Sequence, residues 1–361
     1  MHTIFLVHGM GDFSAGWSTL IQTSIKSYYD PNKYDYLADF PFDDNFKFAE
    51  ITYNNFFAEY LAQAKQQAAT LAKWTNLTAG LTGEVLGILQ KVVTAASSAP
   101  ADNFLVNYLG DVAFFMASNI GPLIKNDIVV QMGKSLGGDF DPATNSWSVI
   151  AHSLGTRVMT EVLQAGFTAS PSLRAFGKAR VLMQVANVSR LLEGLVPYQT
   201  GDVYRNAVYP SVTAANGVCS HFVNATHRLD PFAFIDEFDP DANFGDGQAL
   251  LNNLYHGVKL PASDITSKDI HSLEHYMLHP AVHTTLFQYL IPGGGLSGPS
   301  AAEMAAAMTS YRKLTLSAQI SDAWRAELAD LKSAPFATIS QIFDLWQKYG
   351  GMIQELQAKL P

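Results

Sequence analysis

"WSVIAHSLGTR", Trp147 to Arg157, passes from an apolar stretch through a serine into residues of helical character. Trp147 to Ser153 reads as a strand, because its centre is continuously apolar, as in strands covered on both faces. "LGTRVMTEVLQAG" (154–166) reads as a helix stopped by Gly166. Ser153 therefore sits at a strand-to-helix turn, with the small residues Ala151 and Gly155 two positions to either side. A serine at such a turn holds a strained backbone, and larger flanking residues would strike the neighbouring strand and helix. Two readings compete: a nucleophile, and a turn serine whose hydroxyl caps the helix.

Working outward, "TIFLVHG" (3–9) is a short buried strand ended by glycine, and "KFAEITYN" (47–54) alternates as a second strand. Residues 54–74, 83–93 and 103–136 carry apolar residues at helical spacing, the last divided near Gly121-Pro122. Strands follow in "ARVLMQVANVS" (179–189), "GVCSHFVNATHRLDP" (217–231) and, more weakly, "NLYHGVKLPA" (253–262). Residues 271–290 read as helix, with Pro280 marking a break or a second start. Strands alternating with helices predict an α/β fold with a mainly parallel sheet flanked by helices. The expected organisation is a domain over 1–290 with a helical insertion over about 55–135. A Gly/Pro/Ser linker at 291–300 and a helical C-terminal extension at 301–361 follow.

Composition narrows the classes. The chain has 361 residues, 48% of them hydrophobic and 15% charged, which suits a large core and excludes disorder. A net charge of −9 without a basic block argues against nucleic acid and anionic lipid as partners. A single cysteine, Cys219, excludes an internal disulfide and a cysteine-based zinc site, and its place at a strand start marks it as core. No signal peptide or transmembrane segment is readable, so the expected compartment is the cytoplasm.

Ligand sites in parallel sheets gather at the carboxyl ends of strands, and three features fall there. Ser153 precedes a helix whose N-terminal N–H groups favour developing negative charge. "VHGMG" (7–11) ends the first strand, and its glycines let Met10 turn an N–H inward, to join that of Leu154 in an oxyanion hole. Asp230 and His271 then follow in the order Ser, Asp, His. His271 would be the general base and Asp230 its orienting acid. Asp202 and Asp236 are rivals for the acid, and a turn-forming Asp-Pro is the plain alternative for Asp230. His275 is the rival base, while His152 reads as a structural hydrogen-bonder and Tyr276 as packing. His271, His275, His279 and His283 recur every fourth residue, and "HSLEH" matches a zinc-peptidase pattern. Pro280 breaks that stripe and no third ligand is indicated, so no metal is expected.

"IFLVHGMG", "VIAHSLGT" and "NATHRLDP" together resemble the α/β-hydrolase superfamily, in the lipase-like subset that begins at an "LVHG" strand. The resemblance spans about residues 3–290. It implies a serine esterase or lipase acting on a small-molecule or lipid ester without a cofactor; the place of 55–135 between the second and third strands makes part of it the expected cap over an apolar pocket. Acyl transfer or thioester cleavage at the same site, and an inactive hydrolase scaffold used for binding, are the alternatives. The helices of 301–361 are a candidate self-association surface.

Overall fold

The computed structural model describes residues 1–9, 13–53, 56, 120–168, 173–190, 208–213, 217–234, 237–244, 253–267, 269–291 and 298–315. The chain divides into two compact units. One comprises Met1–Gly9, Ala15–Ile51 and Val129–Arg325; the other comprises Met10–Ser14, Thr52–Ile128 and Ala326–Pro361. Most of the expected insertion, 57–119, and the end of the extension, 316–361, lie outside the described residues.

The first unit is built on six strands: β1 (His2–Val7), β2 (Phe46–Ile51), β3 (Ser146–His152), β4 (Ala179–Val185), β5 (Cys219–His227) and β6 (Tyr255–Leu260). They form one sheet in the order β2-β1-β3-β4-β5-β6, with every pairing parallel. The fold is therefore α/β, with helices α1 (Thr19–Tyr28), α2 (Ile120–Leu136), α3 (Leu154–Phe167), α4 (Leu273–Leu278), α5 (Pro280–Leu290) and α6 (Ala301–Arg312). No described helix is long and apolar enough to cross a membrane.

Alternate residues of the central strands enter different layers. Ile4, Leu6, Ile150, Val181, Met183 and Val185 join a core cluster with Ile21 and Ile25 of α1 and with Met277, Leu286 and Phe287 of α4 and α5. Residues of the opposite parity, such as Phe5, Val7, Val149 and Ala151, are equally buried, and α3 lies against β1 and β3. Burial of both faces explains why these strands read as unbroken apolar runs rather than alternating ones.

Pro280 does separate two helices. His279 sits between α4 and α5, and its imidazole Nδ1 accepts the Ala281 N–H as an N-cap. Helix α1 was not legible: it buries only Ile21 and Ile25, four residues apart, and leaves Leu20 exposed. Helix α6, the start of the expected extension, is closed by a capping box between Ser300 and Glu303. It packs on α5, with Tyr311 buried and its hydroxyl donating to the Asp264 carbonyl at 3.0 Å. Cys219 is buried at the start of β5.

Strand order determines where a site can form. The chain runs from β1 to β2 on one side and then returns to place β3 on the other side of β1. Strand order reverses there, and in such sheets the reversal is where ligand crevices form, here at the carboxyl ends of β1 and β3. Gly9 and Ser153 occupy those two ends.

Candidate active site

Ser153 follows β3 with φ 54° and ψ −126°, one of two non-glycine residues with positive φ among the described residues. Such a conformation costs on the order of 1–3 kcal/mol and persists only where the surroundings over-determine it. Here the Ser153 N–H donates to Val185 O at 3.0 Å, tying the turn to β4, and Ser153 O accepts from the Thr156 N–H and hydroxyl. The side chain makes no cap hydrogen bond to α3. The capping reading of Ser153 therefore fails, and its hydroxyl faces elsewhere.

Neighbouring glycines explain how the turn fits. A Cβ on Gly155 would lie 2.3 Å from His8 O and 2.9 Å from Val7 O, so the first turn of α3 presses directly on the end of β1. A Cβ on Gly9 would lie 2.7 Å from that of Ser153. Gly155→Ala gains up to about 1 kcal/mol in helix propensity but meets backbone oxygen, and overpacking of that kind costs about 1–3 kcal/mol or more. The expected result is net destabilisation in a urea titration.

Ser153 Oγ lies 2.7 Å from His271 Nε2, and His271 Nδ1 lies 2.8 and 3.0 Å from the two Asp230 oxygens. An ionised carboxylate only accepts, so Nδ1 carries the proton, and in the neutral ring Nε2 accepts from the serine hydroxyl. Asp230 stands just past β5 and is fully buried, as is the hydroxyl-bearing Ser153, while His271 is 8% exposed. Asp230 Oδ1 also accepts the Phe232 and Ala233 N–H groups at 3.0 and 3.4 Å. Asp230 thus takes part in a turn and meets the His271 ring at the same time.

His271 lies between β6 and α4, where Ser272 caps α4. Its backbone is held from both sides: its N–H donates to Asp269 Oδ1, and its carbonyl accepts from His152 Nε2 at 2.5 Å. His152 is thus the structural hydrogen-bonder expected. Burial pulls the His271 pKa down, but the charge and hydrogen bond of Asp230 outweigh it, and the pKa stands above the ordinary 6.5. Burial raises Asp230, yet His271 and the hydrogen bonds from His271 and Tyr276 leave it lowered. The other histidines all shift down, chiefly by burial; His152 falls to about 3 and His8 to about 4. A raised imidazole among lowered ones is what a proton acceptor with its own counter-charge requires.

The histidine stripe does not converge. His275 Nδ1 pairs with the Thr266 hydroxyl, His279 Nε2 with Asp264, and His283 bonds Tyr34 and the Met277 carbonyl. Among the described residues, no three His, Cys, Asp or Glu side chains are placed to hold a metal ion. His275 is also not within the serine's hydrogen-bond chain. Leu154 begins α3, so its N–H has no partner inside the helix and lies at the positive end of the helix dipole. Met10, Asp202 and Asp236 lie outside the described residues.

Tyr276, read as packing, is fully buried in the core cluster, and its hydroxyl in addition donates to Asp230 Oδ2 at 2.7 Å. Nothing in the amphipathic pattern of α4 separates a packed ring from one whose hydroxyl meets a buried carboxylate.

Chemically, the arrangement holds a hydroxyl against an imidazole backed by a buried carboxylate, at the start of a helix. That is the layout for activating an oxygen nucleophile. Comparison with protein-family models, with curated proteins and with solved structures found no match.

Proposed function

We propose that the chain is a serine hydrolase of the α/β-hydrolase kind, cleaving carboxylic esters through an acyl-enzyme on Ser153. The observation that carries the reading is the unbroken hydrogen-bond chain from Ser153 Oγ through His271 to Asp230. The strained angles of Ser153, with its hydroxyl withheld from capping, support it further.

In the first half-reaction, His271 Nε2 takes the hydroxyl proton as Ser153 Oγ attacks the ester carbonyl. Negative charge develops on the carbonyl oxygen, where the Leu154 N–H and the α3 dipole stabilise it. Asp230 stabilises the imidazolium without taking its proton. The imidazolium then protonates the departing alcohol, leaving the acyl-serine. Water, deprotonated by His271, attacks the acyl carbon, and Ser153 leaves with the returned proton. These steps use the chain's own groups and one water molecule.

The test is treatment with a fluorophosphonate, read by intact mass and by mapping the adduct. One adduct per chain, on Ser153, is the expected result. Its rate falls as pH drops through the His271 pKa, because the protonated imidazole accepts no proton; that midpoint lies above the ordinary 6.5. A folded protein that takes up no label, or takes it elsewhere, refutes the assignment.

A further inference from the structure

Tyr276 stands apart from every other group around Asp230. The carboxylate receives the His271 Nδ1–H, the Tyr276 hydroxyl and the N–H groups of Phe232 and Ala233. The backbone donors both take Oδ1, whereas Tyr276 takes Oδ2, the oxygen nearer His271 Nδ1. The tyrosine hydroxyl also accepts the His227 N–H at 3.0 Å, which fixes the oxygen and directs its hydrogen at the carboxylate. That N–H belongs to the last residue of β5, three residues before Asp230, so the arrangement is anchored on the strand that carries the acid. Both Tyr276 and Asp230 are wholly buried, so bulk solvent does not reach these bonds.

We propose that Tyr276 is a positioning residue for the Asp230–His271 pair, sharing Oδ2 with the imidazole and thereby setting how tightly the carboxylate holds the histidine proton. This rests on the hydrolase reading of Ser153. The physical argument is charge division. A hydrogen bond from a neutral donor draws negative charge toward itself, and in a dry site that draw is strong. With Tyr276 in place, less charge faces His271, so the imidazolium is held less tightly and returns its proton more readily to the leaving group. Without it, Oδ2 faces His271 alone, and the carboxylate is also free to turn about its axis.

The test compares the pH dependence of fluorophosphonate labelling for the wild type, Tyr276→Phe and a chain carrying 3-fluorotyrosine at position 276. Wild-type adduct formation on Ser153 checks the underlying reading; its absence overturns both that reading and this one. Given a labelled wild type, Tyr276→Phe is expected to move the acid midpoint upward by about half a unit. Its labelling rate on the high-pH plateau is also expected to fall. The fluorinated ring, a stronger donor of nearly the same volume, moves the midpoint downward. Opposite displacements establish the role, since lost packing alone lowers stability without moving the midpoint. If Tyr276→Phe does not fold, the fluorotyrosine chain decides alone. A midpoint equal to the wild type in each folded variant overturns the proposal while leaving the hydrolase reading intact.

Discussion

Ser153→Ala is expected to abolish fluorophosphonate labelling and to cut ester hydrolysis by about ten-thousand-fold or more, the loss that follows removal of a nucleophile acting with its base. The folded state should barely notice. The hydroxyl contributes one hydrogen bond, to His271 Nε2, and caps nothing. Alanine keeps the same backbone penalty at φ 54°. Net hydrogen-bond contributions of about 0.5–1.5 kcal/mol set the scale of the stability change. Ser153→Gly separates strain from chemistry, because glycine adopts positive φ without a Cβ penalty. That variant should be as inactive as Ser153→Ala, yet at least as stable as the wild type. The pairing would mean that the serine is retained at a cost in stability. Both readouts come from one set of samples, a hydrolysis assay and a urea midpoint. Undiminished hydrolysis by Ser153→Ala would remove the serine from the reaction altogether.

How much of this was legible follows from what each residue must satisfy. The strands around the site announced themselves because both faces are buried, leaving little room for polar residues. The order of Ser153, Asp230 and His271 was readable because each follows a strand, and parallel strands put their carboxyl ends together. The reason for Gly155 was visible only in part. Its small size was expected of the turn, but that His8 O and Val7 O are what exclude a Cβ is a property of the packed helix. His271 was already preferred to His275, and the structure adds where each ring goes. One histidine stands at the head of α4 with its ring toward Asp230, and the other turns to Thr266. Helix α1 escaped notice because its two buried isoleucines are outnumbered by polar and exposed positions. Tyr276 escaped for a different reason: the bond that matters joins residues 46 apart in the chain, and no local pattern records it.

Asp230→Asn is expected to slow labelling and hydrolysis by about ten-thousand-fold while retaining the fold, and the reason lies in the direction of each hydrogen bond. Oδ1 accepts two backbone N–H groups, so the single oxygen of asparagine must stay there. Its NH2 group then occupies the place of Oδ2, where it meets the His271 Nδ1–H and the Tyr276 hydroxyl hydrogen, both donors, and leaves that Nδ1–H only the longer 3.0 Å contact to an Oδ1 already shared by two backbone N–H groups. Donor against donor is resolved by moving the imidazole proton. His271 then carries hydrogen on Nε2, accepts from the amide at Nδ1, and presents an N–H to Ser153 instead of a lone pair. The serine keeps a neighbour of the right shape that no longer takes its proton. Loss of the buried ionic interaction also costs stability, though retention of the Oδ1 bonds limits the damage to about 1–3 kcal/mol. Labelling kinetics and a urea midpoint on the same protein separate the two effects. A variant that labels at the wild-type rate would show that the carboxylate does not fix the histidine's tautomer. A variant that unfolds outright would instead show that the fold depends on the charge and on Oδ2, since asparagine keeps the Oδ1 bonds to the turn at Pro231–Phe234.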